Sequence, residues 1–553
     1  MKIGKRGASM LAALLVVLVV GGVLLSRYWI YIPGMLAELR DPVQPNRDVV
    51  WEQGPAEAAM PAAERAPNIV FILVDDLGFN DLSFSGGGLG GGTVQTPNID
   101  SLGREGVIFA NGYAGNATCA PSRAAIMTGR YATRFGFEFT PAPKAFQKGI
   151  ATFNKDSGAQ YFADREKDVP EVDAMSLPAD EVTIAELLKD KGYHNVMLGK
   201  WHLGGTDTSR PERRGFDEFL GFIPGASMFL PRNSPDVVNS IQDFDPIDRF
   251  LWANLPFAVQ FNGSERFEPS GYMTDYFTDE AVKAIEANRN RPFFMYLAYN
   301  APHTPLQALK SDYDALSHIE NHTERVYAAM VVALDRGVGK IKQALRDNGL
   351  EENTIVIFTS DNGGAGYVGL PDLNKPYRGW KASFFEGGIH VPFFMKWPAR
   401  IAPGAAYDRP VAHVDIFSTV AAAAGAVPAG DRVIDGINLI PQVTGANAAD
   451  PGRSLYWRSG HYKVLLSGGW KLQTSERPQK NWLYNLDTDP TERNNLADAE
   501  PERLAAMMAM LAEIDARQSE PAWPALIEAP IMIDRPLGGA PRGPEDEYVF
   551  WAN

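Results

Sequence analysis

The sequence predicts an α/β protein: a large mixed, mostly parallel sheet sandwiched by helices, with a smaller C-terminal α+β domain containing an antiparallel sheet. Three observations predict it. Four continuous apolar runs rich in branched and aromatic residues recur between Asn68 and Gly364, the mark of strands buried on both faces of a parallel sheet. Helix-forming segments precede three of them, and alternation of this kind builds an α/β sandwich. After about Pro441 the pattern changes to short runs around turn residues, which reads as an antiparallel sheet.

Residues 1–40 stand apart. Lys2, Lys5 and Arg6 precede an uncharged stretch from Gly7 to Ser26, a signal peptide or a membrane anchor. It is about long enough to span a bilayer. No small-x-small cleavage site follows; Arg27 and the aromatic "YWIYIPGML" do, which suits a membrane interface. An uncleaved signal anchor is therefore expected, with the basic end inside and the body exported to the periplasm or another extracytoplasmic space. Residues 41–67, rich in Pro, Ala and Glu, read as a linker.

The main domain is expected over 68–440. Its strand runs are "NIVFILVDD" (Asn68–Asp76), "HNVMLGKWH" (His194–His202), "PFFMYLAYNAPH" (Pro292–His303) and "TIVIFTSDNGG" (Thr354–Gly364). "TIAELLKDKG", "TDEAVKAIEANRN" and "RVYAAMVVALDRGVGKIKQALRDNG" are the helices before the last three, the third ending at a C-capping Gly. A small α+β domain is expected over 441–525, with a hairpin of Lys463–Leu466 and Trp470–Gln473 around Ser-Gly-Gly and the helix "PERLAAMMAMLAEIDARQ". A Pro-rich tail, 526–553, should wrap the surface. The loop Gly86–Thr93 lacks the Gly-Lys-Ser/Thr of a P-loop and is a connection only.

Composition is that of a globular protein, 45% hydrophobic and 22% charged. The net charge of −15 and the lack of a basic tract exclude a nucleic-acid partner. An anionic substrate must then be drawn by a local cluster of cations. One cysteine in 553 residues excludes an internal disulfide.

The four strand runs end in chemistry: Asp75-Asp76, Lys200 with His202, His303, and Asp361-Asn362. Open α/β sheets bind ligands beyond the carboxyl ends of their strands, so these groups can share one crevice. Each alone has an ordinary reading, since Asp-Asp-Leu-Gly and Asp-Asn-Gly-Gly are turn formers. Four at four strand ends are not ordinary. Three carboxylates and an amide oxygen are hard ligands, suited to Ca²⁺ or Mg²⁺. The lone Cys119 precedes Pro121 and Ser122, which can open the helix "SRAAIMTGRYATRFG". A helix N-terminus binds anions and activates a thiol, and Arg123 adds a fixed cation.

"CAPSRAAIMTGR" resembles the C-x-P-S-R-x-x-x-x-T-G-R signature of the type I, formylglycine-dependent sulfatases, arylsulfatase-like members of the alkaline-phosphatase-like superfamily. The resemblance extends through "VDDLG", "TPNIDSL", "GKWHLG", "APHTPLQ", "SDNGG" and "RGWKASFFEGGIHVP", and into "YNLDTDPTERNNLA". It covers about Asn68 to Ala497. It implies that a separate formylglycine-generating enzyme oxidises Cys119 to Cα-formylglycine (3-oxoalanine), whose hydrate is the nucleophile. It further implies that Asp75, Asp76, Asp361 and Asn362 hold calcium together with the modified residue. Arg123 would orient the hydrate and His202 take its second proton. Lys200, His303 and Lys381 would grip the sulfate and ester oxygens, with His303 the proton donor to the leaving alcohol. His390 stands where relatives commonly carry Arg, outside the ligand set, so a change in support or packing is expected.

The activity so implied is release of inorganic sulfate from an aryl or carbohydrate sulfate ester. The nearest alternative is a phosphomonoester, phosphodiester or phosphonate-ester hydrolase on the same fold. The second is a non-catalytic, membrane-anchored protein that binds sulfated glycans. Thiol catalysis or redox signalling is a third and lacks a partner cysteine. Segments 140–180 and 224–271, the second rich in aromatics, are expected to shape the substrate pocket.

Overall fold

The structure, a computed structural model, describes residues 21, 22, 28–445, 452–539, 543 and 545–553. Most of the expected signal anchor, Gly7–Ser26, lies outside the described residues. Among the described residues, no helix is long and apolar enough to cross a membrane.

Nine strands form the central sheet: β1 (Asn68–Val74), β2 (Val107–Phe109), β3 (His194–Lys200), β4 (Glu218–Phe222), β5 (Gln260–Phe261), β6 (Phe293–Ala298), β7 (Thr354–Ser360), β8 (Phe393–Lys396) and β9 (Ala405–Tyr407). Their spatial order is β9-β2-β8-β7-β1-β6-β3-β4-β5. The five strands from β7 to β4 are mutually parallel, and the antiparallel pairs lie towards the edges. The expected α/β class is therefore the observed one.

β1 shows why these runs are apolar through their middle. Val70, Ile72 and Val74 face one core, with Phe277, Ile285 and Val331 of the long helices Met273–Asn288 and His322–Asp347. Ile69, Phe71 and Leu73 face the other, with Ile126, Leu188 and Val420. Both faces are covered, so every position from Ile69 to Val74 is apolar. The short strands β2, β5 and β9 span three residues or fewer, too few to show a period.

The register lines up the chemistry. Val74 pairs with Ser360, Leu73 with Ala298, and Ala298 with Gly199. Asp75, Asp361 and Lys200 come next in their chains, and so they emerge at one edge of the sheet.

Helix α1 runs from Cys119 to Thr128, not from Pro121 through Gly136 as the sequence suggested. It starts earlier because Thr118 takes the extended conformation of an N-cap, which leaves Pro121 in the first turn, where its missing N–H costs nothing. It stops at Gly129, whose φ of 67° only glycine adopts without strain.

Beyond residue 452, four antiparallel strands form a meander, Ser454–Ser459, Tyr462–Ser467, Trp470–Glu476 and Gln479–Asn485. Gly468 and Gly469 make its central turn with φ of 56° and 77°, as a two-residue hairpin turn of this hand requires. One face packs on Met507 and Leu511 of the helix Pro501–Asp515. The other, through Trp457, Val464 and Trp482, packs on Phe384, Phe385 and Ala125 of the main domain.

Two segments differ from expectation. The linker is not free: Trp51 is buried and donates its indole N–H to Glu280 at 2.9 Å. The tail is not a loose wrap either. Ile527–Met532 and Tyr548–Ala552 pair antiparallel, and Ile533, Val549 and Trp551 are buried. In both cases large apolar side chains inside a polar, Pro-rich context find core to cover them.

Candidate active site

The candidate catalytic and ligand residues come together at the carboxyl edge of the sheet. Lys200 Nζ donates to Asp75 Oδ2 at 2.6 Å. Arg123 donates from Nε to Asp361 Oδ2 at 2.9 Å and from Nη1 to the Lys200 carbonyl at 2.9 Å, and its Nη2 lies 2.8 Å from the same Asp361 oxygen. Lys381 Nζ lies 2.7 Å from Asp76 Oδ1, and Asn362 Nδ2 donates to the same oxygen at 2.7 Å. Single atoms of Asp75, Asp76, Cys119 and His303 all lie within 4.8 Å of one another.

The backbone is bent to achieve this. Asp76, His202 and Ala382 have φ of 63°, 62° and 65°. Left-handed conformations cost such residues free energy and cluster where a site needs them. They turn the chain just where Asp76, His202 and Lys381 must face inward.

The electrostatics follow from burial and neighbours. Burial opposes a Cys119 thiolate, but the ammonium groups of Lys200 and Lys381 outweigh it and hold the thiol well below its usual range. Burial pushes His202 down to about 4, so it is a neutral imidazole. Burial and then the Asp75 charge push Asp361 upward, while Asp76 is held low because Lys381 and His303 overcome its burial. For His303, burial and Lys381 oppose the cation, but Asp75 and Asp76 prevail and raise it. His303 Nδ1 lies 2.6 Å from the Thr304 carbonyl. That bond places the proton on Nδ1 and leaves Nε2 facing the crevice, 3.7 Å from Asp76 Oδ2.

The donor set fits a hard divalent cation. Asp75 Oδ1 and Asn362 Oδ1 are buried without a hydrogen-bond partner. Orphaned acceptors of this kind, beside two more carboxylates, are costly alone and are oxygen ligands in the making.

A family model described as Sulfatase matches residues 67–426. The chain belongs to the sulfatase family. This sulfatase is similar to N-acetylgalactosamine-6-sulfatase of Mus musculus, 32% identical over 421 residues that cover 74% of this chain and 71% of the relative. It is also similar to steryl-sulfatase of Homo sapiens, 30% identical over 508 residues and 79% of each chain. Among solved structures, that of Ps i-CgsB in complex with k-i-k-neocarrahexaose superposes with a TM-score of 0.68 at 31% identity, over 83% of this chain and 95% of that one. A phosphonate monoester hydrolase of Agrobacterium radiobacter, 18% identical with a TM-score of 0.55 over 82% of this chain and 96% of that one, shares the fold. The protein is an enzyme, and its reaction is hydrolysis of a sulfate ester.

Three residues of the sulfatase site have no signal in the sequence. Tyr367 donates its hydroxyl to Asp76 Oδ2 at 2.7 Å and accepts from Lys381 at 3.1 Å. Asp81 accepts from Tyr327 and from Gly78 N–H, both at 2.7 Å, behind the Asp75–Asp76 turn. His413 accepts the Gly115 N–H on Nδ1 at 3.1 Å, which leaves the proton on Nε2, 3.2 Å from Thr359. Its Nδ1 also meets Ser122 of α1 at 3.0 Å, so it ties the cysteine-bearing helix to β7. Only their closeness in sequence to "SDNGG" and "VDDLG" could have drawn attention to Tyr367 and Asp81.

His390 does act in support. Its Nδ1 meets Glu386 at 2.8 Å, its Nε2 the Ala110 carbonyl at 2.9 Å, and its ring stacks on Tyr377.

Proposed function

We propose that this sulfatase releases sulfate from an aryl or carbohydrate ester using Cys119 in the formylglycine form and a calcium ion. The observation that supports this reading is the gathering of Lys200, Lys381, Arg123, His202 and His303 with three carboxylates around the only cysteine in the chain. Asp75, Asp76, Asp361 and Asn362 would hold the cation, which when bound supplies positive charge to the sulfuryl oxygens. Formylglycine, made by a dedicated maturation enzyme, supplies as its hydrate an oxygen nucleophile that a thiol does not.

This chain's own residues do the rest. Lys200 and Lys381 place two ammonium groups where charge grows on the sulfuryl oxygens. Arg123, fixed by Asp361 and the Lys200 carbonyl, orients the residue at 119. His303 Nε2 is free to give a proton to the leaving oxygen, and His202, beside residue 119, receives one when sulfate departs. The names of the relatives, with an amino sugar and a sterol among them, support both sugar and ring-alcohol leaving groups. Export, with residues 7–26 holding the body to a membrane, completes the proposal.

Two outcomes are expected. Asp361→Ala removes the bound divalent cation, read by elemental analysis of purified protein, together with most turnover; full activity without any divalent metal would overturn the calcium reading. His303→Ala slows a sugar sulfate by on the order of 10²–10⁴ and an activated aryl sulfate far less, because a phenolic leaving group needs the proton least. A panel of aryl sulfates, sulfated saccharides and phosphate esters decides the substrate class. Sulfate release should dominate in kcat/KM, and a preference for phosphate or phosphonate diesters would contradict it.

A further inference from the structure

We propose that the helix Ile32–Arg40 lies on the surface of a lipid bilayer and fixes how the enzyme sits on it. This rests on the reading of residues 7–26 as a membrane anchor and adds the face that meets the lipid.

The helix is amphipathic the wrong way round for a protein in water. Ile32, Met35, Leu36 and Leu39 follow the spacing i, i+3, i+4, i+7 and form one stripe. That stripe points outward, its members 39%, 64%, 46% and 79% exposed. The attachment to the body is polar or made by glycine. Gly34 N–H donates to Asn254 Oδ1 at 2.7 Å, and Asn254 Nδ2 donates to the Ile30 carbonyl at 2.9 Å. Arg266 pairs with Asp41 at 2.7 Å and reaches Glu38 at 3.6 Å. A side chain at Gly34 would crowd Asn254, since its Cβ would lie 3.0 Å from the Asn254 Cα.

The apolar exposure is concentrated here. Seven of the seventeen large hydrophobic side chains exposed among the described residues fall between Tyr28 and Leu39. Phe153, 54% exposed on the neighbouring helix Lys144–Phe153, extends the patch around a hollow it shares with Trp29. A patch of this kind on a soluble protein marks an interaction surface.

The sequence says what covers it. Gly7–Ser26 contains no charge and ends two residues before Tyr28, and about 20 such residues suffice to cross a hydrocarbon core. Tyr28, Trp29 and Tyr31 are the residue types that settle at headgroup level. An outward apolar stripe directly after them belongs at the acyl boundary, where amphipathic helices lie in the plane of the membrane.

Asn254, which grips the stripe helix, ends the helix Pro246–Asn254, so the stripe helix is fastened to the body at that helix's carboxyl end.

The test uses the full chain in phosphatidylcholine–phosphatidylglycerol vesicles, with spin labels on Met35→Cys and Leu39→Cys and on Val427→Cys and Met508→Cys as controls. All four positions are exposed and Cys119 is buried. Turnover of an aryl sulfate checks the fold of each labelled protein. Labels at 35 and 39 should gain collisions with oxygen and lose them with a water-soluble nickel chelate, while 427 and 508 stay aqueous. Protein that floats with vesicles while 35 and 39 remain aqueous would overturn the docked face and leave the anchor standing. Protein that does not float would overturn the anchor and the docking together. Labels shielded from both reagents and broadened by a second spin would show a second copy covering the stripe, which also contradicts the proposal.

Discussion

Cys119→Ala is expected to lower kcat/KM for any sulfate ester by on the order of 10⁴–10⁶, the scale at which removal of a nucleophile acts. The methyl group of alanine fits where the buried Cys119 side chain sits, so the fold should survive. The ammonium groups of Lys200 and Lys381 remain, and so the variant should still bind sulfate esters. Mass spectrometry of the peptide containing residue 119 in the active wild-type enzyme supplies the complementary reading. Formylglycine is expected there. Full activity with an entirely unmodified thiol, or turnover that survives Cys119→Ala, would sink the proposed chemistry.

The largest effect on stability is expected from Lys471→Met. Lys471 is fully buried at the seam between the C-terminal meander and the main domain, 2.7 Å from Glu386 and 3.0 Å from Glu492. Burial opposes its charge, but the two carboxylates outweigh that and raise it. Glu492 also accepts the Glu386 N–H at 2.6 Å, and Glu386 meets His390, so the cluster crosses the seam several times. Taking away the ammonium leaves two carboxylates facing each other without water. Breaking a buried pair in this way costs about 3–5 kcal/mol. Urea unfolding at neutral pH should show the midpoint fall, and adding Glu492→Gln should restore part of it. A midpoint unmoved by Lys471→Met would mean that the cluster contributes nothing net.

Much of the site was legible because parallel strands put their chemistry at their ends. A run such as "NIVFILV" must be buried on both faces, so the first polar residues after it, Asp75 and Asp76, are where a crevice begins. The same logic found Lys200 and Asp361. Tyr367, Asp81 and His413 escaped it. They reach the site from loops and a turn, and only tertiary closure brings them there. The start of α1 was misplaced for a local reason: Pro121 imitates a first helical residue, whereas Thr118 takes the cap two residues earlier. The edge strands carry too few residues for any pattern, and their pairing is decided by neighbours far along the chain.

The order of strands in the central sheet also sets a timetable. β1 lies between β6 and β7, and the latter ends at Ser360, 241 residues after Cys119 in the order of synthesis. Until β7 exists, α1 has no completed floor to close against, and Lys381 and Tyr367 have not yet been made. At about 5–20 residues per second, the ribosome needs roughly ten to fifty seconds for that stretch. On the proposed formylglycine reading, Cys119 would be open to its maturation enzyme during translation and shut away once buried. A chain that closed with the thiol intact would then have to open its sheet again before it could be matured.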